Sequence, residues 1–112
     1  MDCLFCKIVE GTIPSRALHR DEHCYAFADI HPQAPVHFLV VPREHIPSIA
    51  HAGKEHAAIL GCLLVTAGEI AREKGLNDGY RVVINAGAHG GQTVDHLHLH
   101  VLGGRHMTWP PG

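Results

Sequence analysis

Residues 96–102 read His-Leu-His-Leu-His-Val-Leu, an unbroken alternation of imidazole and aliphatic side chains. Successive side chains of an extended chain point to opposite faces. The spacing therefore predicts a strand with His96, His98 and His100 on one face and Leu97, Leu99 and Val101 in a core. Three imidazoles in one row repel when all are charged, so at least some must be neutral, hydrogen-bonded or metal-bound. Neutral imidazole is a good nucleophile near pH 7 and attacks phosphorus readily. The turn Gly90-Gly91-Gln92-Thr93 lies just upstream. Its glycines let backbone N–H groups approach phosphoryl oxygens closely, and the Gln92 amide and Thr93 hydroxyl add side-chain donors. Asn85 reaches the same zone from the end of a neighbouring strand. This set suits nucleotidyl transfer. A Walker-type cleft is excluded, since the chain has no matching glycine-rich lysine motif.

Cys3-x-x-Cys6 is a second chemical centre. The spacing suggests zinc or a redox pair. No strand-helix-strand pattern follows it, which argues against a thioredoxin-like role. A closed tetrahedral site needs two more ligands, and among 12 histidines spacing alone does not select them. Cys24 and Cys62 sit among apolar neighbours and read as small core residues.

These groups need a scaffold. Leu4 to Glu10 is a short helix, stopped by Gly11 and the Ile13-Pro14 step. Arg16 to Arg20 and His23 to Asp29 read as strands around a polar turn. Prolines 32 and 35 make residues 31–35 a loop. Val36 to Val41 is the best central strand, ended by Pro42. Lys54 to Lys74 is the one long helix, with Leu60, Leu63, Leu64, Ala67, Ile70 and Ala71 on an apolar face and Gly75 as its cap. Gly61 and Gly68 are seven apart on it, either a mild weakening of the helix or a line of close packing against the sheet or a partner helix. Tyr80 to Asn85 is a further strand, introduced by the Asn77-Asp78-Gly79 turn. Five strands and one long helix give an α+β class, and residues 1–112 form a single domain.

Hydrophobic residues make up 46% of the chain, as expected of a compact soluble domain. A formal charge of -2 with histidines neutral gives no basic surface for nucleic acid and no polybasic membrane anchor. No apolar run reaches membrane-spanning length, and Met1 to Lys7 lacks signal-peptide character. A cytoplasmic location is the default expectation.

The alternating histidines, the Gly90–Thr93 turn and the ending Gly103-Gly104-Arg105…Trp109-Pro110-Pro111-Gly112 together resemble the histidine triad (HIT) family of nucleotide hydrolases and transferases. Within it they look like the Hint branch, the histidine triad nucleotide-binding proteins, from about Phe5 to Gly112. The resemblance implies a HIT-like fold: a five-stranded antiparallel sheet with helix packing, joined in a homodimer into a ten-stranded sheet. It implies purine nucleoside phosphoramidase activity, cleaving the P–N bond of an AMP- or GMP-amine conjugate. His98 matches the nucleophile that forms a covalent nucleotidyl-histidine intermediate. His100 and Thr93 match groups contacting phosphate and leaving group. Gln92, Asn85 and the Gly91 turn support them, and His37 matches a buried histidine close to the triad. Asp29 matches a carboxylate that binds ribose hydroxyls. Phe5, Ile13, Phe27 and Ile30 match the walls of a base pocket. Relatives with the cysteine pair hold a structural zinc, whose ligands match Cys3, Cys6, His45 and His96. Trp109 matches a tail residue that crosses the dimer to the partner's site. Thr93 stands where relatives often carry serine, and Ala28 where some carry a larger polar residue, which leaves base selectivity open. Two other readings remain: a dinucleoside polyphosphate hydrolase, and a non-catalytic, zinc-bearing nucleotide-binding module.

Overall fold

A computed structural model describes residues 3–112. Met1 and Asp2, which open the stretch without signal-peptide character, lie outside the described residues. The chain runs α1 (Leu4–Glu10), β1 (Ala17–Arg20), β2 (Cys24–Ala28), β3 (Val36–Pro42), α2 (Ala57–Glu73), β4 (Tyr80–Ile84) and β5 (Leu99–Gly103). The strands form one antiparallel sheet in the order β1-β2-β3-β5-β4. This is the expected five-stranded HIT-like architecture, with one long helix and a short N-terminal one.

The sheet separates two cores. On one face Cys24, Ala26, Phe38, Val40, Leu99 and Val101 pack against Leu63, Ala67 and Ile70 of α2. On the other, Tyr25, Phe27, Leu39 and Val41 pack against Phe5, Ile8 and Val9 of α1 and against Cys3, which caps it. β3 is therefore covered on both sides, which is why its sequence is almost continuously apolar. Each large aliphatic or aromatic side chain buried in this way contributes about 1.5–3 kcal/mol.

Local chemistry sets the helix ends. Gly11 closes α1 in the left-handed region at φ +85°, which only glycine adopts freely. At the end of α2, Gly75 donates to the Arg72 carbonyl and Leu76 to the Ala71 carbonyl, a Schellman closure. Three expectations shift. The helix expected from Lys54 begins as a 3-10 turn over Lys54–His56, where the Gly53 amide donates to His56 Nδ1 at 3.0 Å, and becomes α-helical at Ala57. The first two strands are trimmed at their polar ends, and Asn85 lies one residue past β4.

The histidine strand itself pairs only from Leu99. Its neighbours run out there: β3 ends at Pro42, which has no N–H, and β4 ends opposite Leu99 at Ile84. Leu97 instead donates to the Ile46 carbonyl at 2.7 Å. The alternation survives this change of partner. Leu97, Leu99 and Val101 all enter the α2-side core, and the histidines face the α1 side.

β4 is an edge strand, and its α2-side residues Tyr80, Val82 and Ile84 stay exposed, as do Leu64 and Val65 on α2. Gly68 meets the Tyr80 hydroxyl at ordinary contact distance, 3.6 Å from an ideal Cβ, whereas Gly61 faces open space. No helix of the described residues is long and apolar enough to cross a membrane.

Candidate active site and metal cluster

β5 carries His98 and His100 toward α1, and β3 brings His37 beside them. Leu39 pairs with His100 and His37 with Leu102, so His37 and His100 are diagonal neighbours on one face. The His98 and His100 ring centroids lie 4.9 Å apart and those of His37 and His100 5.2 Å apart. Phe5 of α1 stands edge-on to His98 at 5.0 Å. His98 Nδ1 lies 2.7 Å from the His96 carbonyl oxygen. A carbonyl only accepts, so Nδ1 carries a hydrogen, and in the neutral ring Nε2 keeps its lone pair. Burial, then His98 and His37 as neighbours, hold His100 down to about 4, and burial also lowers His37. Both rings are neutral at pH 7.

The metal-type cluster lies immediately upstream of the nucleophile position. Donor atoms of Cys3, Cys6, His45 and His96 all fall within 4.8 Å of one another. His96 Nδ1 is 3.3 Å from Cys3 Sγ and 3.2 Å from His45 Nδ1. Its other nitrogen, Nε2, donates to the Pro42 carbonyl at 2.9 Å. A metal-binding histidine orients itself in this way, giving its far N–H to a carbonyl and turning a bare nitrogen to the ion. Burial and then the nearby Cys3 push the Cys6 thiol up to about 11, so a cation at this site is what would favour its thiolate. Two sulfurs and two imidazole nitrogens in tetrahedral number suit zinc.

Asp29, His37 and His100 also bring donor atoms within 4.8 Å of one another, and here the two rings lie at hydrogen-bond distance. The Gln33 backbone amide donates to His37 Nδ1 at 3.0 Å. The hydrogen of a neutral His37 is thereby confined to Nε2, the atom that faces the cluster.

Residues 10–107 match the HIT domain family. The chain belongs to the HIT family. Among relatives of this HIT protein, an uncharacterized HIT-like protein of Synechococcus elongatus is 52% identical over 99% of the chain and 97% of its own length. A HIT family hydrolase from Legionella pneumophila has a similar structure, with a TM-score of 0.97 at 47% identity, covering 99% of this chain and all of that one. A histidine triad nucleotide-binding protein from Candida albicans matches at a TM-score of 0.83 and 30% identity, over 97% of this chain and 83% of the other.

Other expected site residues of the HIT protein are placed unevenly. Asp29 accepts the His31 amide through Oδ1 at 2.8 Å and presents Oδ2 3.4 Å from His37 Nε2. Phe5 and Phe27 touch edge to face at 5.6 Å, and Ile13 packs against the same cluster. Ile30 stands apart from that cluster and is 85% exposed. The Gln92 side chain turns to the backbone around it. Both hydrogens of its amide are donated, to the Pro47 and Val94 carbonyls at 2.7 and 2.9 Å, while its oxygen accepts the Gly87 amide. It braces the glycine loop and has no hydrogen left for a phosphate. Thr93 is exposed and its hydroxyl has no partner among the described residues. Gly91 turns the loop at φ +87°, with the Asn85 amide nitrogen 3.9 Å from where a Cβ would stand. Trp109 is 82% exposed; the Arg81 guanidinium lies 6.0 Å above its ring and also donates to the Thr108 carbonyl. Sequence reading missed Gln33, whose contribution is a backbone amide that no residue type announces.

Proposed function

We propose that this HIT protein is a Hint-type purine nucleoside phosphoramidate hydrolase working through His98. The observation that carries the reading is the 2.7 Å bond from His98 Nδ1 to the His96 carbonyl, which leaves a lone pair on Nε2. That lone pair attacks phosphorus, the P–N bond breaks, and the departing amine takes up one proton. Water then attacks the nucleotidyl-histidine, frees the nucleoside monophosphate and returns one proton to solvent. His100 and Thr93 contact phosphoryl oxygens and leaving group, with Gly91 and Asn85 shaping the loop. Asp29 Oδ2 takes the ribose hydroxyls, and Phe5, Phe27 and Ile13 carry the purine. Zinc on Cys3, Cys6, His45 and His96 is structural. Protein mixed with an adenosine phosphoramidate and quenched early should gain the mass of one adenylyl group, on the peptide that contains His98. An adduct on another residue, or turnover with no adduct at any quench time, would overturn the covalent route.

A homodimer belongs to the same reading. Tyr80, Val82 and Ile84 on an unpaired edge, continuous with Leu64 and Val65, form an apolar surface of the kind that a second sheet edge and helix cover. Arg81 and Val83 alternate onto the opposite, histidine-bearing face. The tail that Arg81 holds thus leaves on the side of the chemistry, and an exposed tryptophan there meets the partner's leaving group. Deleting residues 109–112 should leave a folded dimer by light scattering. The ranking of amine leaving groups should change, with unequal losses in kcat/KM across a substrate series. Uniform losses would remove Trp109 from specificity.

A further inference from the structure

We infer that the Gln33 backbone amide, acting through His37 as a positioning residue, fixes His100 as an Nε2–H hydrogen-bond donor. This inference rests on the proposed role of His100 beside a His98 nucleophile, and it assigns how that role is set.

Each hydrogen bond in this chain fixes the next. A backbone amide can only donate, so His37 Nδ1 must accept from Gln33 at 3.0 Å. That nitrogen is then without hydrogen, and His37 carries its one hydrogen on Nε2. His37 Nε2 lies 3.0 Å from His100 Nδ1 and 3.4 Å from Asp29 Oδ2. One hydrogen serves both, and the shorter contact is to His100. His100 Nδ1 is therefore an acceptor, and the hydrogen of a neutral His100 must be on Nε2. His98 has the opposite arrangement, because its Nδ1 gives hydrogen to a carbonyl. Two imidazoles 4.9 Å apart thus hold opposite tautomers, one offering a lone pair and the other an N–H.

The backbone makes both assignments. The His96 carbonyl sets the first and the Gln33 amide, on the loop between β2 and β3, sets the second. Burial supports the chain of bonds: His37 is 8% exposed, and both His37 and His100 are held neutral by desolvation. His100 then supplies a hydrogen bond to phosphoryl or leaving-group atoms without first gaining a proton from solvent. A ring with the other tautomer would turn a lone pair toward an anionic oxygen and repel it.

The test is a long-range proton–nitrogen correlation spectrum of the metal-loaded protein labelled with nitrogen-15 histidine, at pH 7 and without substrate. The expected pattern is Nδ1–H for His98 and Nε2–H for His37 and His100. Nδ1–H at His100, or a charged His100 ring, overturns the inference. His37→Ala should leave His100 as a mixture of tautomers and lower kcat by about tenfold, with a smaller change in KM. His37→Gln, whose carboxamide can again place an N–H near His100 Nδ1, should restore the Nε2–H signature and part of kcat. If the His100 tautomer is unchanged in a folded His37→Ala protein, His37 does not set it and the inference fails. The spectrum reads the free protein, so it stands or falls separately from any substrate; failure of phosphoramidate turnover would strike the proposed function and leave the tautomer result intact.

Discussion

His98→Ala is expected to reduce phosphoramidate hydrolysis by about 10³-fold or more while purine nucleotides still bind. The substitution removes the attacking nitrogen with the rest of its ring, including the bond to the His96 carbonyl and the contacts with Phe5 and His100, and leaves the other site residues in place. Asp29 keeps its Asx-type bond to His31, and the His37–His100 pair does not depend on His98 for a hydrogen bond. The Leu97 and Leu99 side chains on either side remain anchored in the α2-side core, so the strand should hold its register. The cavity left beside Phe5 is small, and calorimetry or fluorescence should report nucleotide affinity within a fewfold of the parent. The measurement pairs steady-state hydrolysis with nucleotide binding on the same preparation. Near-native turnover would mean that another group attacks phosphorus. Loss of binding together with turnover would mean that His98 builds the pocket and that the kinetic loss does not identify a nucleophile.

The second large effect concerns the metal cluster. Metal analysis of untagged protein should find about one zinc per chain, the number a closed four-ligand site holds. Cys3→Ser with Cys6→Ser should abolish that zinc and lower the thermal midpoint by about 10 °C or more. The reason is geometric. The cluster ties the first turn of α1 to His45, just after β3, and to His96, just before β5, three segments far apart in sequence. Activity should fall less than stability. The His96 carbonyl that orients His98 sits on a backbone also held by the Leu97-to-Ile46 bond, and its ring also by the Pro42 carbonyl. Differential scanning calorimetry beside kcat/KM on the same variant separates the two. Protein purified without chelator and free of metal, yet as stable as the variant with Cys3→Ser and Cys6→Ser, would rule zinc out as a structural element.

Much of this arrangement was legible in the sequence because it is carried by periodicity. The alternation at residues 96–102 placed three histidines opposite three core side chains, and it did so even where strand pairing is absent, since side-chain direction follows an extended backbone and not the ladder. The long helix and its Gly75 closure were legible for the same reason. Features that depend on where two distant segments meet were not. Gln92 looked like a phosphate donor because residue type gives capacity; only the nearness of the Pro47 and Val94 carbonyls shows that the capacity is used. Ile30 enters the base pocket only through family resemblance; it follows the end of β2 and stands exposed, and nothing in its residue type says what it faces. The choice of His45 and His96 as partners for the cysteines came from family resemblance, not from spacing.

The two-sided burial of β3 has a consequence for motion. Amides paired between β3 and β5 open to solvent exchange only when both cores loosen, so their opening free energy approaches that of global unfolding. His37 and His100 both ride on that slow-exchanging pair of strands. Residues 86–93, by contrast, lie outside the sheet in a mostly exposed loop closed by its own short-range bonds, Gly90 and Gln92 to the Gly87 carbonyl and Gly91 to the Ala88 carbonyl, so their amides can open without loosening either core. The imidazoles are thus clamped on the timescale of unfolding, while the glycine turn upstream of them keeps an opening free energy of its own.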